Sequence, residues 1–188
     1  MIRIGILGNI GSGKSYVANN FGYPVFDADY EVAMLYKKDR KTFLKLKKIL
    51  PDNIKTFPVE KKEIIKAILQ KKDNLKKIIK IVHIEIRKKM NSFLKKNKNK
   101  KFVILDIPLL LENKINKKND ILIFVQSKKS EVLKRLKKRK NYNHRLIKKF
   151  QNIQLPLDFK KKKSHFVVNN DFNKKTAKKY VKDILQKI

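Results

Sequence analysis

The sequence predicts an α/β protein of three layers, in which helices cover both faces of a parallel β-sheet. The chain opens with an apolar run at residues 2–7, a glycine-rich turn, a helical segment that begins at residue 14 and a second apolar run at residues 25–27. This succession is a βαβ unit, whose two strands run parallel. Three further apolar runs, separated by helical or polar segments, continue the pattern along the 188 residues.

The predicted strands are short runs rich in β-branched and aromatic residues, as expected for strands that are buried on both faces. After the first two strands, they lie at residues 102–106, 121–125 and 165–169. The run FVILD at residues 102–106 is the clearest of them. Together these runs predict a five-stranded parallel sheet.

Helices are predicted for much of the remaining chain, whereas residues 140–163 are polar and have only weak periodicity. Residues 30–96 have a helical pattern with breaks around Pro51 and Pro58. Residues 74–94 form the clearest helix, because apolar side chains recur there at helical spacing, at Leu75, Ile79, Val82, Ile86, Met90 and Phe93. Ser127 is the predicted N-cap of the helix after the fourth strand. The last helix places on one face Ala177, Val181, Ile184 and Ile188.

The formal net charge of +34 is compatible with binding to nucleic acid or to another polyanion. The basic residues are mostly lysines, however, and they are spread along the whole chain together with many Asn and Ile residues. A genome rich in A/T codons produces this combination in any protein. We therefore interpret the charge as a solvated surface and do not expect nucleic acid as a partner.

The chain contains no cysteine, which excludes disulfides and thiolate metal sites and fits a reducing compartment. The N-terminal residues have no signal-peptide pattern, and no run of about 18 apolar residues occurs. We expect a cytoplasmic protein without a membrane partner.

The segment GNIGSGKS at residues 8–15 matches the phosphate-binding pattern G-x-x-x-x-G-K-[ST] at every fixed position. A predicted strand precedes it and a predicted helix follows it, as the pattern requires. The glycines let backbone N–H groups face phosphate oxygens, and the helix N-terminus adds positive potential. We expect Lys14 to reach the β- and γ-phosphates of a nucleoside triphosphate, and the Ser15 hydroxyl to ligate Mg²⁺.

Three acidic residues stand at predicted carboxyl ends of strands, where ligands bind in open α/β sheets. Asp27 and Asp29, in the segment DAD, follow the second strand, and Asp106 ends the third. The first two can hold a substrate hydroxyl, and Asp29 is the better candidate for the base that accepts its proton. Asp106 is a candidate Mg²⁺ ligand, directly or through water. Capping of a helix or simple exposure in a loop are the alternatives.

Arg135 and Arg139 are four residues apart and are predicted to share one face of the helix after the fourth strand. Because arginine is scarce in this chain, both are candidate phosphate contacts, although a solvated helix face explains them equally well. His83 lies at the edge of the apolar stripe of the long helix, where a boundary position is the simpler interpretation.

These motifs resemble dephospho-coenzyme A kinases, and the resemblance covers nearly the whole chain. Residues 4–15 are similar to the first strand and phosphate loop of that family, and DAD at residues 27–29 is similar to its distinguishing element. DIPLLLE at residues 106–112 is similar to its D-x-PLL-x-E stretch. QLPLDFK at residues 154–160 is similar to its Q-x-P-x-x-x-K segment, and VVNN at residues 167–170 to its last strand.

The chain departs from the family pattern at a few positions. Ile84 follows His83 where proline is usual, Tyr16 replaces a threonine, and residues 163–165 lack the common Ala-Asp pair. The link between the first helix and the second strand is also shorter than usual. None of these departures removes a residue that phosphoryl transfer needs.

The resemblance implies the P-loop fold of nucleoside triphosphate hydrolases and nucleoside-monophosphate kinases. The nucleotide-binding core would comprise residues 1–29, 97–139 and 158–188, with a helical acceptor-binding insertion at residues 30–96 and a lid at residues 140–157. The implied reaction transfers the γ-phosphate of ATP to the ribose 3′-hydroxyl of dephospho-coenzyme A, with Mg²⁺. Its products are coenzyme A and ADP, and it is the last step of coenzyme A biosynthesis.

With the motifs above, the resemblance also implies roles for individual residues. The catalytic residues would be Asp29 and Lys14, and the metal ligands Ser15 and Asp106. The residues that bind ATP would be Gly8, Gly11, Ser12, Gly13, Lys14, Ser15, Tyr16 and Arg139. The residues that bind the acceptor would be Asp27, Asp29, His83, Pro108 and Leu110. We expect a monomer or a weak oligomer.

Two alternatives stay open. Another small P-loop kinase, acting on a nucleoside monophosphate or a small alcohol, would share the phosphate loop and the lid, and only the DAD and PLLLE segments argue against it. A basic nucleic-acid-binding protein on the same fold would bind DNA or RNA with a strong dependence on salt.

Overall fold

The computed structural model describes residues 1–140 and 142–188 of the chain. The strands of this part are β1 (Ile2–Gly8), β2 (Val25–Asp27), β3 (Phe102–Asp106), β4 (Ile121–Gln126) and β5 (Phe166–Asn169). They form one sheet in the order β2-β3-β1-β4-β5, and every pairing is parallel. The predicted five-stranded parallel sheet is therefore confirmed.

The helices are α1 (Lys14–Asn19), α2 (Ala28–Lys38), α3 (Arg40–Ile49), α4 (Lys61–Gln70), α5 (Asn74–Lys96), α6 (Lys129–Lys137), α7 (His144–Gln151), α8 (Leu157–Lys162) and α9 (Lys174–Lys187). None of the helices that the structure describes is both long enough and apolar enough to cross a membrane.

The chain divides into two compact units. The sheet unit comprises Met1–Asp27 and Asn97–Ile188 and contains all five strands, with α1 and α6 to α9. The helical unit is Ala28–Lys96 and contains α2 to α5.

The core of the sheet unit is built on the central strands, whose residues are apolar on both faces because helices cover both. Ile4 and Ile6 of β1 and Ile104 of β3 are completely buried. Side chains from α1 and α9 pack into the same cluster, among them Val17, Ala18, Val181 and Ile184. β1 lies between β3 and β4. The turn that leaves β1 therefore lies in the middle of the carboxyl edge of the sheet.

The helical unit is organised around α5, against which α2, α3 and α4 pack. The predicted breaks near Pro51 and Pro58 fall in the segment between α3 and α4. Asp39 separates α2 from α3 by capping α3, since its side chain accepts a hydrogen bond from the Thr42 N–H at 2.8 Å. The apolar stripe of α5 differs from the predicted one in two places: Ile78 is buried while Ile79 is only half-buried, and Phe93 is half-buried.

Candidate active site

The phosphate loop between β1 and α1 depends on glycine at two positions. Gly8 has a φ of 146°, and a Cβ atom there would lie 2.5 Å from the carbonyl oxygen of Val125 in β4. Gly13, the N-cap of α1, has a φ of 89°, and a Cβ atom there would collide with the amide nitrogen of the Asn170 side chain. Both positions combine left-handed backbone with the close approach of another segment, so any larger residue would displace the loop.

The carbonyl oxygen of Ser12 is held by two side chains that follow other strands. Ser127, after β4, donates from its Oγ at 2.9 Å, and Asn170, after β5, donates from its Nδ2 at 2.8 Å. Because a trans peptide unit is planar, fixing this carbonyl fixes the N–H of Gly13 in the opposite direction. The predicted capping role of Ser127 is wrong: the N-cap of α6 is Lys128, and the Ser127 hydroxyl is bonded to the phosphate loop.

Lys14 and Ser15 begin α1, as the motif predicts. The Lys14 ammonium donates to the carbonyl oxygens of Gly8 at 3.3 Å and of Asn9 at 2.9 Å, so it lies over the loop. The Ser15 side chain is exposed, and Tyr16 is half-buried. A cation, a hydroxyl and backbone N–H groups within one turn suit a polyphosphate.

Two neighbouring strands each end in an aspartate at the carboxyl edge of the sheet. Asp27, the last residue of β2, is the register partner of Asp106, the last residue of β3. Neighbouring strands are about 4.8 Å apart. No group of three or more His, Cys, Asp or Glu side chains within residues 1–140 and 142–188 has a geometry that could hold a metal ion. Mg²⁺, however, needs only one or two carboxylates beside phosphate and water oxygens, and Asp106 stays a candidate ligand of this kind.

Asp29 lies in the first turn of α2, which begins directly after β2. Its side chain is exposed. A carboxylate is favourable at this end of a helix because the backbone N–H groups of the first turn create positive potential.

His83 lies on α5 and is half-buried. Burial of the imidazole lowers its pKa, and the positive charge of Arg87, one turn further along the helix, lowers it again. The lowered pKa favours the neutral imidazole, which has one nitrogen that donates and one that accepts a hydrogen bond.

The segment after β3 is anchored by a buried ion pair. Glu112 Oε1 lies 2.6 Å from the Nζ of Lys160 in α8, and Lys160 is only 1% exposed. The same oxygen accepts a hydrogen bond from the Leu155 N–H at 2.9 Å. The contacts join the DIPLLLE and QLPLDFK segments, which the sequence alone could not connect.

The two predicted acceptor residues of this segment differ in burial. Leu110 is 0% exposed and packs against Gly5 of β1, so its side chain belongs to the core and the expected contact with the acceptor is not supported. Pro108 is half-buried and stays a candidate.

The predicted pairing of Arg135 and Arg139 on one helix face is wrong, because α6 ends at Lys137 and Arg139 lies beyond it. The Arg135 guanidinium instead stacks on the ring of Phe172, 4.2 Å from the ring centre. Phe172 has a φ of 65°, which is costly for a bulky residue. Its N–H donates to the Asn170 Oδ1 at 3.1 Å. Asn170 thus connects the phosphate loop to a stacked pair of flat side chains.

The predicted lid, residues 140–157, contains α7. None of the α7 side chains is fully buried, and the Asn143 side chain caps the helix by accepting a hydrogen bond from the Leu146 N–H at 2.9 Å. Residue 141 lies outside the described residues.

Comparisons with known proteins give a consistent result. A sequence model of the family described as Dephospho-CoA kinase matches residues 2–176. The chain is 32% identical to the Dephospho-CoA kinase of Wolbachia sp. subsp. Brugia malayi, with 98% of this chain and 97% of that protein covered. It is similar to the structure of TT1252 from Thermus thermophilus, with a TM-score of 0.79, 26% identity and 100% and 97% coverage. It also shares its fold with the Dephospho-CoA kinase from Campylobacter jejuni, with a TM-score of 0.62, 21% identity and 98% and 96% coverage.

The Glu112–Lys160 pair yields a prediction about stability. Lys160→Met leaves the Glu112 carboxylate buried without its cation, and we expect the free energy of unfolding to fall by about 3–5 kcal/mol. The measurement is urea unfolding followed by circular dichroism. Lys161→Met, at the exposed neighbouring position, is the control and should change stability by no more than about 0.5 kcal/mol. Equal losses in the two variants would contradict the assignment.

Proposed function

This chain belongs to the family of dephospho-CoA kinases, P-loop kinases that use ATP in the last step of coenzyme A biosynthesis, and we propose how its residues carry out that reaction. The ribose 3′-hydroxyl of dephospho-CoA attacks the γ-phosphorus of ATP. A new P–O bond forms, the bond from the γ-phosphorus to the bridging oxygen breaks, and ADP leaves with that oxygen. The hydroxyl proton goes to a base.

The phosphate loop is proposed to bind the polyphosphate of ATP. The main support for this proposal is that other segments hold the loop in a fixed geometry. Ser127 and Asn170 fix the Ser12 carbonyl, which orients the Gly13 N–H before any ligand arrives. Lys14 would move from the loop carbonyls to the β- and γ-phosphates. The remaining contacts would come from backbone and side-chain groups of Gly8, Gly11, Ser12, Ser15 and Tyr16.

Arg135 and Phe172 are proposed to contact the purine of ATP. Their flat groups stack 4.2 Å apart, and the Phe172 ring also approaches Gly13, where a Cβ atom would lie 3.4 Å from its Cε1. Guanidinium and aromatic planes both stack on nucleobases. The stacked pair therefore lies beside the loop that would bind the phosphates of the same nucleotide.

Asp29 is proposed as the base that accepts the 3′-hydroxyl proton as the P–O bond forms. It is exposed at the start of α2, immediately after the strand that ends in Asp27. Asp27 would hold the hydroxyl, and Pro108 and the neutral imidazole of His83 would contact other parts of the acceptor. The helical unit is accordingly proposed as the acceptor-binding insertion.

Ser15 and Asp106 are the proposed ligands of Mg²⁺. Asp106 ends β3 beside Asp27, and an exposed serine hydroxyl and carboxylate oxygens are hard donors of the kind that Mg²⁺ prefers. Bound there with ATP, the cation supplies positive charge to the transferring phosphate.

Residues 140–157 are proposed to close over the phosphates, with Arg139 at their edge as a phosphate contact. Exclusion of water by such a lid suppresses hydrolysis of ATP. We propose that the enzyme acts in the cytoplasm as a monomer or weak oligomer and that it does not require nucleic acid.

Acceptor choice provides the direct test of the function. With Mg-ATP, we expect dephospho-CoA to stimulate ADP release, whereas nucleoside monophosphates and small alcohols should not. A coupled assay of ADP release measures this for each acceptor, and mass spectrometry of the product identifies coenzyme A. ADP release that depends on a nucleoside monophosphate and not on dephospho-CoA would favour the other kinase class.

Asp29→Asn tests the proposed base. Because the amide cannot accept the proton, we expect kcat to fall by about 10²- to 10⁴-fold. The affinity for ATP, measured by titration calorimetry, should not change. Asp52→Asn, the same change in an exposed loop of the helical unit, is the control. An Asp29→Asn enzyme that keeps most of its kcat would rule out this role.

Asn170→Ala tests the anchoring of the phosphate loop. The variant loses the hydrogen bonds to the Ser12 carbonyl and to the Phe172 N–H, a loss of about 1–2 kcal/mol. We expect the Kd for ATP to rise about tenfold while the KM for dephospho-CoA stays constant. Asn169→Ala, at the exposed preceding residue, should bind ATP normally. Equal ATP affinities of the two variants would show that the anchor does not matter.

A further inference from the structure

The helical unit contains a groove of about 620 Å³, and none of the residues that line it belongs to the sequence motifs described above. It runs along α2 and the start of α3, and Lys89 of α5 also lines it. Its lining includes Tyr30, Met34, Lys38, Arg40, Lys41 and Lys89.

The groove is positively charged. Four cationic and two acidic residues line it, which gives the lining a net charge of +2. Both acids are engaged: Glu31 forms an ion pair with Lys89 at 2.9 Å, and Asp39 caps α3. None of the ion pairs within the described part of the chain involves Lys38, Arg40 or Lys41. Three cations are therefore left to face a ligand.

Arg40 distinguishes this groove from the general lysine-rich surface. The chain has only six arginines among its 50 basic residues, and one of them lies here at the first position of α3. A guanidinium can bind two oxygens of one phosphate at once, whereas a lysine ammonium acts as a point charge.

The groove also has apolar surface. Tyr30 is 59% exposed, Met34 is half-buried, and Leu35 is buried beneath them. An aromatic ring this exposed beside a methionine offers contact to the carbon-rich parts of a ligand. A ligand that suits the whole groove therefore carries both a compact anionic group and an apolar portion.

The groove begins next to the proposed base, because Tyr30, its first lining residue, directly follows Asp29 in α2. An α-helix rises 1.5 Å per residue, so the lining from Tyr30 to Lys38 extends about 12 Å along the axis. Dephospho-CoA carries, from the same ribose as its reacting hydroxyl, a diphosphate followed by a long, largely uncharged arm. An acceptor whose hydroxyl meets Asp29 has these groups within reach of the groove.

We propose that this groove binds the diphosphate and the adjoining arm of the acceptor. Lys38, Arg40 and Lys41 bind the diphosphate oxygens, and Tyr30 and Met34 contact the arm. The proposal rests on the proposed function and deepens it, because it gives the helical unit the residues that select a diphosphate-bearing acceptor over a simple nucleoside.

A matched pair of triple variants tests the site. In one, Lys38, Arg40 and Lys41 are all changed to Gln; in the other, the exposed residues Lys37, Lys47 and Lys48 of α2 and α3 are changed to Gln. Both lose three positive charges, so a difference between them does not reflect net charge. Titration calorimetry measures the Kd of dephospho-CoA, of adenosine and of ATP for each protein.

We expect the groove variant to bind dephospho-CoA about 30- to 100-fold more weakly, as the loss of three solvent-exposed charge contacts predicts. Its Kd for adenosine and for ATP should stay within about twofold of the unmodified protein, and kcat at saturating acceptor should be retained. The control variant should behave like the unmodified protein.

Two results would overturn the proposal: unchanged affinity of the groove variant for dephospho-CoA, or equal weakening in the groove and control variants. Failure of the proposed function has a different signature, because the unmodified protein would then release no ADP in the presence of dephospho-CoA. The binding measurement does not need turnover, so it decides the role of the groove in either case.

Discussion

The carbonyl oxygen of Ser12 is the point on which the nucleotide half of the site depends. It lies in the turn after β1 and accepts hydrogen bonds from Ser127 after β4 and from Asn170 after β5. The segments that follow three neighbouring strands are thus joined by hydrogen bonds at one buried atom. Since the peptide that follows is rigid, the direction of a phosphate-facing N–H is set by the sheet and not by the loop itself. Preorganised donors of this kind need no rearrangement during reaction.

The same anchor extends to the proposed purine site through Asn170. Its amide nitrogen binds the phosphate loop, and its amide oxygen binds the Phe172 N–H, which holds Phe172 in a left-handed conformation. Phe172 in turn stacks beneath Arg135. One side chain therefore couples the position of the phosphates to the position of the base. This explains why a costly backbone conformation is kept at Phe172, since the hydrogen bond and the stacking offset it.

The sequence was sufficient for the five strands, for the longer helices and for the phosphate loop, because local spacing and residue type determine them. It did not predict α7 and α8, since residues 140–163 are polar and have only weak helical periodicity. It was not sufficient for contacts between distant segments. Ser127 has the residue type and position of an N-cap, but its hydroxyl bonds to a residue 115 positions away. Leu110 stands in a segment typical of acceptor binding, yet a close approach to Gly5 buries it. The Glu112–Lys160 pair has no local signal, because its partners come together only when α8 packs beside the segment after β3.

The few acidic residues are more informative about this structure than the many lysines are. The chain has only 16 acids against 50 basic residues, and several of these acids have a definite structural position. Asp27 and Asp106 end adjacent strands, Glu112 and Asp120 neutralise the buried cations Lys160 and Arg3, and Asp39 caps a helix. Most lysines, by contrast, lie exposed and contribute little to stability. A basic residue therefore points to a function where its surroundings are specific, as at Arg40, which lines a groove whose acidic residues are already engaged.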